Sequence, residues 1–163
     1  MDLDSVLHDL TPRLLRYLRA RTGDGDLAEE IAQESLTALV QHWRRRGPPE
    51  CPEAYVFAIA RRGVVRGAIR QRLRVPLDLL FHHQDGRPTP ERQVIGRSER
   101  DRVLAAIRRL SRREREALLL VVAADLDCAR AAAALGVSVS AVKMRVLRAR
   151  KHLAAMLEVD NAR

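Results

Sequence analysis

The stretch at residues 129–151 constrains the fold most, because it has the order of a short helix, a glycine turn and a capped basic helix. Residues 129–135 are apolar apart from Arg130 and predict the first helix, and Gly136 is the residue type that tolerates a left-handed turn. Ser138 or Ser140 then supplies a side chain that can cap the next helix. This order predicts a helix-turn-helix unit, whose second helix has the shape to enter the major groove of DNA.

The predicted second helix has one apolar face and one basic face. Its apolar side chains recur at helical spacing, at Val139, Val142, Val146, Ala149, Leu153 and Met156. The opposite face carries Ser140, Ala141, Met144, Arg148 and Lys151, with Lys143, Arg145 and Arg150 on its flanks. No acidic residue lies within residues 143–151, so the usual i,i+4 ion pairs are missing. The pattern favours binding to phosphates, and the alternative is a surface helix with solvated arginines.

The charge balance points to a polyanionic partner. The 163 residues include 30 lysines and arginines against 21 acids, a net charge of +9. Nucleic acid and a membrane surface are the competing polyanions. No apolar run approaches the roughly 20 residues that span a bilayer, and the N-terminus, with Asp2, Asp4 and Asp9, lacks the basic start of a signal peptide. We therefore expect a cytoplasmic protein without membrane insertion.

Signals of catalysis and of metal binding are weak in this sequence. Cys51 and Cys128 are too few for a disulfide framework or a four-ligand zinc site, so reduced thiols are expected. Gly63 and Gly67 lie within a helical pattern and lack the lysine and hydroxyl residue of a phosphate-binding loop. The sequence therefore predicts no catalytic residue, no metal and no cofactor, which indicates a protein that is not an enzyme.

Proline and glycine divide the chain into two parts. Residues 76–98 contain three prolines and two glycines within otherwise helical sequence, which favours a flexible linker. Neither side has a long run of alternating apolar and polar residues of the kind that forms strands. We therefore expect each flanking segment to form a bundle of three to five helices. The expected fold is all-α, with small helical domains at 1–75 and 99–163 joined by the flexible linker at 76–98.

Charges in the N-terminal part are sorted by position. Residues 24–34 contain five acids and no base, whereas residues 44–74 contain nine arginines and only two acids. On a helix over residues 27–43, one polar face is formed by Glu30, Gln33, Glu34, Thr37 and Gln41. An acidic face would repel phosphates, so we expect it to bind a basic protein surface. The alternative is a helix face that only contacts water.

Three stretches together are similar to one known family. They are DLAEEIAQESLTAL at 26–39, AYVFAIARRGVVRGAIRQRLR at 54–74, and the stretch at 104–153 that contains the helix-turn-helix pattern. In this order they resemble region 2.2, regions 2.3 and 2.4, and region 4 of bacterial sigma factors of the extracytoplasmic-function (ECF) group. Helix-turn-helix regulators share part of the last pattern but do not bring the region 2 pattern upstream.

The resemblance implies that core RNA polymerase, through its β′ and β subunits, is a partner. The region 2.2 face would lie against the coiled coil of β′, and its contact residues would be Glu29, Glu30, Gln33, Glu34 and Thr37. The resemblance also suggests an anti-sigma protein as a partner. No cofactor is implied.

The resemblance also implies promoter DNA as a partner, read at two places. Region 4 would read the −35 element through Ser138, Ser140, Ala141, Lys143, Met144, Arg145, Arg148 and Lys151. Region 2 would open and hold the −10 element through Arg44, Arg45, Arg46, Tyr55, Arg61, Arg62, Arg66 and Arg70. The loop at 44–53 stands where the family reads an unstacked base.

Three positions of the region 2 part depart from the family pattern, as do residues 128–134 in the first helix of the helix-turn-helix unit. Val40 stands where tryptophan is common, Arg62 where asparagine is common, and Arg66 near a frequent aspartate.

Two other functions remain open at this level. One is a helix-turn-helix regulator that binds DNA without polymerase, and the other is a sigma-like interaction protein without promoter activity.

Overall fold

The computed structural model describes residues 2–73 and 99–161, and all regular structure in these ranges is α-helical. The described helices are α1 (Leu3–Thr22), α2 (Gly25–Arg46), α3 (Pro52–Leu73), α4 (Glu99–Arg109), α5 (Arg112–Val122), α6 (Cys128–Leu135) and α7 (Val139–Asn161). The predicted all-α class is confirmed, with bundles of the expected size. The predicted linker at 76–98 lies outside the described residues.

Local capping explains where the first two helices begin. The Asp2 carboxylate accepts a hydrogen bond from the Ser5 backbone amide at the start of α1, and Asp24 does the same for Leu27 at the start of α2. Helix α1 ends at Gly23, whose φ of 71° lies in the left-handed region that glycine tolerates. The tight turn between the caps folds α1 and α2 into a helical hairpin.

Helices α2 and α3 approach closely because α3 lacks side chains at two positions one turn apart. A Cβ atom on Gly63 would lie 2.7 Å from Cγ2 of Ile31, and one on Gly67 would lie 3.0 Å from Cδ1 of Leu27. Both distances are too short for an unstrained contact. The two glycines therefore set the register of α3 on α2, which places the acidic residues of α2 beside the arginines of α3.

The predicted helix-turn-helix unit is present in the C-terminal half. Gly136 ends α6 with a φ of 66°, and the Ser138 hydroxyl accepts a hydrogen bond from the Ala141 amide (3.1 Å) to cap α7. The predicted apolar stripe is buried at Val142, Val146 and Ala149 and half-buried at Leu153 and Met156. The assignment of Val139 to that stripe was wrong: this side chain is 39% exposed, because it is the first residue of α7 and the buried stripe begins one turn later.

Arginines of the N-terminal half hold the ends of two helices in the C-terminal half. Arg13 donates to the carbonyls of Ala124 and Asp125 (both 2.9 Å), and Arg16 donates to that of Ala123 (2.6 Å), just beyond α5. In the same way, Arg61 donates to the carbonyl of Ala134 near the end of α6 (2.9 Å), where α3 packs on α6. Carbonyls at helix C-termini lack intrahelical donors and carry partial negative charge, so they suit guanidinium groups. The two halves are therefore in contact.

Replacing Gly63 by alanine is expected to lower the free energy of unfolding by about 1–3 kcal/mol, because the added methyl group forces Ile31 or the helices to shift. Without that contact the change would stabilise the helix by roughly 1 kcal/mol. Gly25→Ala is the matched control, since a Cβ there meets no atom within 4 Å. Urea unfolding measures both variants. Unchanged or raised stability of Gly63→Ala would contradict the close packing of α2 on α3.

Candidate nucleic-acid and protein interfaces

The acidic residues of α2 lie on its outer face, as predicted. All five residues expected to contact a protein partner are exposed: Glu29, Glu30, Gln33, Glu34 and Thr37. On the inner face, Ile31, Ala32 and Leu39 are buried. Burial of this stripe fixes the rotation of α2, so that the polar face points to solvent.

Three of these carboxylates already have arginine partners. Glu29 pairs with Arg19 of α1 at 3.0 Å. Two further ion pairs, Glu34–Arg66 at 3.2 Å and Glu30–Arg70 at 2.7 Å, join α2 to α3. Every one of these side chains is about half exposed, so each pair stabilises the fold by roughly 0–1 kcal/mol. The acidic and basic surfaces, which the sequence predicts to be separate, therefore meet along the α2–α3 seam.

A hollow at the end of α2 gathers several residues expected to contact the −10 element. Its volume is about 280 Å³, and it is lined by Ala38, Gln41, His42, Arg45, Arg46 and Tyr55. The rings of His42 and Tyr55 lie 4.8 Å apart, tilted by 46°. Flat rings beside guanidinium groups offer stacking and phosphate contacts, which is the chemistry that holds an unstacked base.

Further candidates extend this surface beyond the hollow. Arg44 is exposed beside it, and Arg62, Arg66 and Arg70 are exposed along α3. Arg62 follows Tyr55 by seven residues, and Arg66 and Arg70 follow at intervals of four, so these side chains share one face of α3. This face is continuous with the α2–α3 seam through Arg66 and Arg70.

Arg61 does not join the other −10 candidates. Its guanidinium turns toward the C-terminal half, where Nη2 lies 3.3 Å from a carboxylate oxygen of Glu116. The other oxygen of Glu116 lies 3.6 Å from Nη2 of Arg21. Glu116 is only 6% exposed, so one buried carboxylate bridges α1 and α3 to α5. This role could not be predicted from the sequence, because a glutamate among the arginines of residues 112–116 carries no local signal of burial.

Tyr17 lies against this cluster and is buried. Its hydroxyl has no hydrogen-bond partner among the described residues, and its ring packs edge-on against Phe57 with centroids 5.4 Å apart. Burial raises the pKa of the Tyr17 phenol to about 12, with the nearby Glu116 carboxylate adding to the rise and Arg21 opposing it. The phenol is therefore neutral at physiological pH.

The outer face of α7 is basic and unpaired. Of the residues expected to read the −35 element, the exposed ones are Ser138, Ser140, Lys143, Met144, Arg148 and Lys151. Ala141 and Arg145 are half-buried. Within residues 2–73 and 99–161, no acidic side chain forms an ion pair with a basic residue of positions 143–151. These charges are thus available to phosphates, unlike the arginines of the α2–α3 seam.

Other kinds of site have little support in the described residues. Cys51 and Cys128 are free thiols, and the described histidines, cysteines and acids form no group that could hold a metal ion. None of the described helices combines the length and the apolar character that crossing a bilayer requires.

Two family patterns match the chain. The pattern described as Sigma-70 region 2 matches residues 7–75, and the one described as Sigma-70, region 4 matches residues 100–153. The chain is also similar to the ECF RNA polymerase sigma factor EcfG of Rhodopseudomonas palustris (strain TIE-1). The two are 31% identical over 162 residues, which cover 98% of this chain and 88% of the relative.

Two solved structures have a similar fold. One is the sigma factor RpoE in complex with the anti-sigma factor NepR from Bartonella quintana, with a TM-score of 0.67, 25% identity, and 96% of this chain and 97% of that chain covered. The other is CnrH in complex with the cytosolic domain of CnrY, with a TM-score of 0.67 and 21% identity over 97% of this chain and 88% of that chain. The second likeness concerns the fold alone.

Ionisation of Tyr17 is expected to limit stability at alkaline pH. The unfolded phenol ionises near its ordinary pKa of 10.0, whereas the folded phenol ionises near 12. The contribution of the neutral Tyr17 phenol to the free energy of unfolding is therefore complete below pH 10. It is lost as the pH rises from 10 through 12, by up to about 2–3 kcal/mol. Urea unfolding at pH 8, 10 and 11 should show a smaller loss in Tyr17→Phe, with the partly exposed Tyr55→Phe as control. Equal losses in all three proteins would contradict the buried phenol.

Proposed function

The chain belongs to the ECF group of the sigma-70 family of RNA polymerase sigma factors, and from that premise we propose which of its surfaces carry out transcription initiation. It is an alternative sigma factor, which binds core polymerase and promoter DNA. We assign polymerase binding to the outer face of α2, −10 binding to the hollow and outer face of α3, and −35 reading to α7. A helix-turn-helix regulator that acts without polymerase is not favoured, because it leaves the region 2 match unexplained.

One observation carries the proposal: the exposed charges of the two halves differ in their availability. The lysines and arginines at positions 143–151 of α7 have no acidic partner in the described chain, whereas the acids of α2 are held in weak, exposed pairs. Free positive charge suits DNA, and a weakly held acidic face suits a basic protein surface. A single chain with both surfaces is suited to link a polymerase to DNA.

Polymerase binding and −10 binding are linked in this proposal through shared residues. A basic surface of β′ that binds Glu30 and Glu34 takes over the role of Arg70 and Arg66. Because exposed ion pairs contribute little, this exchange costs the fold little. Arg66 and Arg70 are then released beside the face where the separated −10 strand would bind. The polymerase thus prepares region 2 for the strand.

The two halves must separate for both promoter elements to be read at once. Elements centred near −10 and −35 are about 25 base pairs apart, which is about 85 Å at 3.4 Å per base pair. A compact chain of 163 residues has a radius of gyration of about 15 Å. The contacts of Arg13, Arg16 and Arg61 with the C-terminal half therefore describe a closed form, and we propose that polymerase binding opens it.

Other parts of the proposal follow from the family and its relatives. The chain carries no catalytic residue of its own and directs the catalysis of the polymerase. It works in the cytoplasm, where polymerase and promoter DNA are found. The two similar structures are complexes, one with the anti-sigma factor NepR and one with the cytosolic domain of CnrY. An anti-sigma protein that favours the closed form is accordingly a proposed partner of this chain.

Removing the two shared carboxylates tests the polymerase surface. Glu30→Gln with Glu34→Gln is expected to weaken binding to core polymerase by about 2–5 kcal/mol, because both charges become buried against a basic surface. The matched control is Arg66→Gln with Arg70→Gln, which breaks the same two ion pairs but keeps the carboxylates. This control should bind polymerase at least as well as wild type and lose affinity for a single-stranded −10 oligonucleotide. Fluorescence anisotropy measures both affinities, and equal polymerase binding by the two variants would refute the assignment.

Neutralising Glu116 tests the closed form. In Glu116→Gln, Arg21 and Arg61 keep their charges at a buried interface that no longer has a carboxylate. Removing one partner of a buried ion pair lowers stability by about 3–5 kcal/mol, and we expect the contact between the halves to lose that much free energy. The halves should then separate while each stays helical by circular dichroism. Dyes on cysteines at the exposed positions 37 and 155, with Cys51 and Cys128 replaced by serine, report the separation by energy transfer.

The matched control is Glu29→Gln, which breaks an exposed ion pair inside the N-terminal half. Its energy transfer should equal that of wild type. If Glu116→Gln also keeps the transfer efficiency of wild type, Glu116 does not hold the halves together and the closed form needs another explanation.

A further inference from the structure

Two large apolar side chains of α7 face water. Met144 and Leu147 are each 47% exposed. They are three residues apart, so their side chains are neighbours on the helix surface. The core-facing side chains of the same turns, Val142 and Val146, are buried. The exposed pair is therefore not an extension of the core, and Leu147 is not among the −35 contact residues expected from the sequence.

The surroundings of this pair are positively charged. Lys143, Arg148 and Lys151 are exposed next to it, and no described acid pairs with them. An apolar protein groove that covered Met144 and Leu147 would bring these charges toward a poorly solvated surface, which is costly. A partner that offers an apolar spot between two rows of negative charge avoids that cost. The major groove of DNA has this layout, with phosphates on both rims.

Only one base carries an apolar group at its major-groove edge, namely thymine with its C5 methyl. We propose that Met144 and Leu147 read thymine methyl groups in the upstream promoter element. The inference rests on the proposed function of α7 as the DNA-reading helix. It adds a specificity to that function, since the basic residues alone address phosphates and guanine edges.

The spacing of the pair further limits the element. Residues three apart on a helix are separated by about 4.5 Å along its axis, which is less than the span of two base-pair steps of about 3.4 Å each. Met144 and Leu147 therefore address neighbouring base pairs. The element is expected to contain two adjacent A·T pairs, with the two methyl groups on one strand or on opposite strands.

Substituting deoxyuridine for thymine tests this directly, because it removes only the methyl group. The protein bound to core polymerase is titrated with promoter duplexes in which each thymine of the upstream element is replaced in turn. At one or two neighbouring positions the affinity should fall about fourfold, the effect of one buried methyl group. In Met144→Ala or Leu147→Ala, the penalty at the corresponding position should disappear, as in a double-mutant cycle.

Val159→Ala is the matched control, since Val159 is 58% exposed on the same helix but lies beyond the helix-turn-helix unit. It should keep every deoxyuridine penalty of wild type. Penalties that persist unchanged in Met144→Ala and Leu147→Ala, or the lack of any penalty, would overturn the inference and leave the proposed function intact.

The remaining outcomes separate this inference from the function on which it rests. If the polymerase complex does not bind promoter duplex at all, the proposed function fails and the inference fails with it. Affinity for core polymerase without DNA is measured for the same variants. If Met144→Ala and Leu147→Ala lower that affinity and leave the deoxyuridine penalties unchanged, the pair contacts a protein and the inference is overturned.

Discussion

The arrangement of the two halves depends on one buried carboxylate. Among the described residues, Glu116 is the only charged side chain that is buried, and it lies between Arg21 and Arg61. Removing charges from water is expensive, so such a group gains little net stability while both partners remain. Losing one partner is costly, however, because the remaining charge is left buried. We propose that this combination adds to the contacts of Arg13 and Arg16 in holding the halves together and still allows a stronger partner to separate them.

Arginine has three different roles in this chain, and its surroundings decide between them. Arg13 and Arg16 hold the carbonyls at the end of α5, whereas Arg66 and Arg70 pair with carboxylates of α2. The lysines and arginines at positions 143–151 of α7 have no such partner among the described residues. A net charge of +9 therefore says little about where DNA binds. The location of the unpaired charges is more informative.

Local patterns predicted the elements well because their causes lie within a few residues. The glycine turn at Gly136, the cap at Ser138 and the buried stripe from Val142 to Ala149 follow from spacing and residue type, and the structure confirms them. The exposed face of α2 follows from the same 3.6-residue period. The predicted burial of Val139 was wrong because this residue is the first of α7 and lies outside the packed stripe.

The partners of the charged residues could not be predicted from the sequence. Arg66 and Arg70 meet carboxylates 32 and 40 residues away, in a register that depends on the close approach at Gly63. Arg61 looks like its neighbours in the sequence, yet its contact with Glu116 exists only because α3 packs against the other half. Such pairings depend on tertiary packing, which a one-dimensional charge pattern does not specify.

Run-off transcription from genomic fragments with purified core polymerase tests the account most directly. Discrete transcripts should appear only when the chain is added, and their start sites should share two upstream sequence elements at constant spacing. The chain alone should bind the same duplexes weakly and with steep salt dependence, because most of its affinity then comes from phosphates. The account is contradicted if the chain adds no transcript to those of core polymerase and instead binds a palindromic duplex by itself with nanomolar affinity at physiological salt.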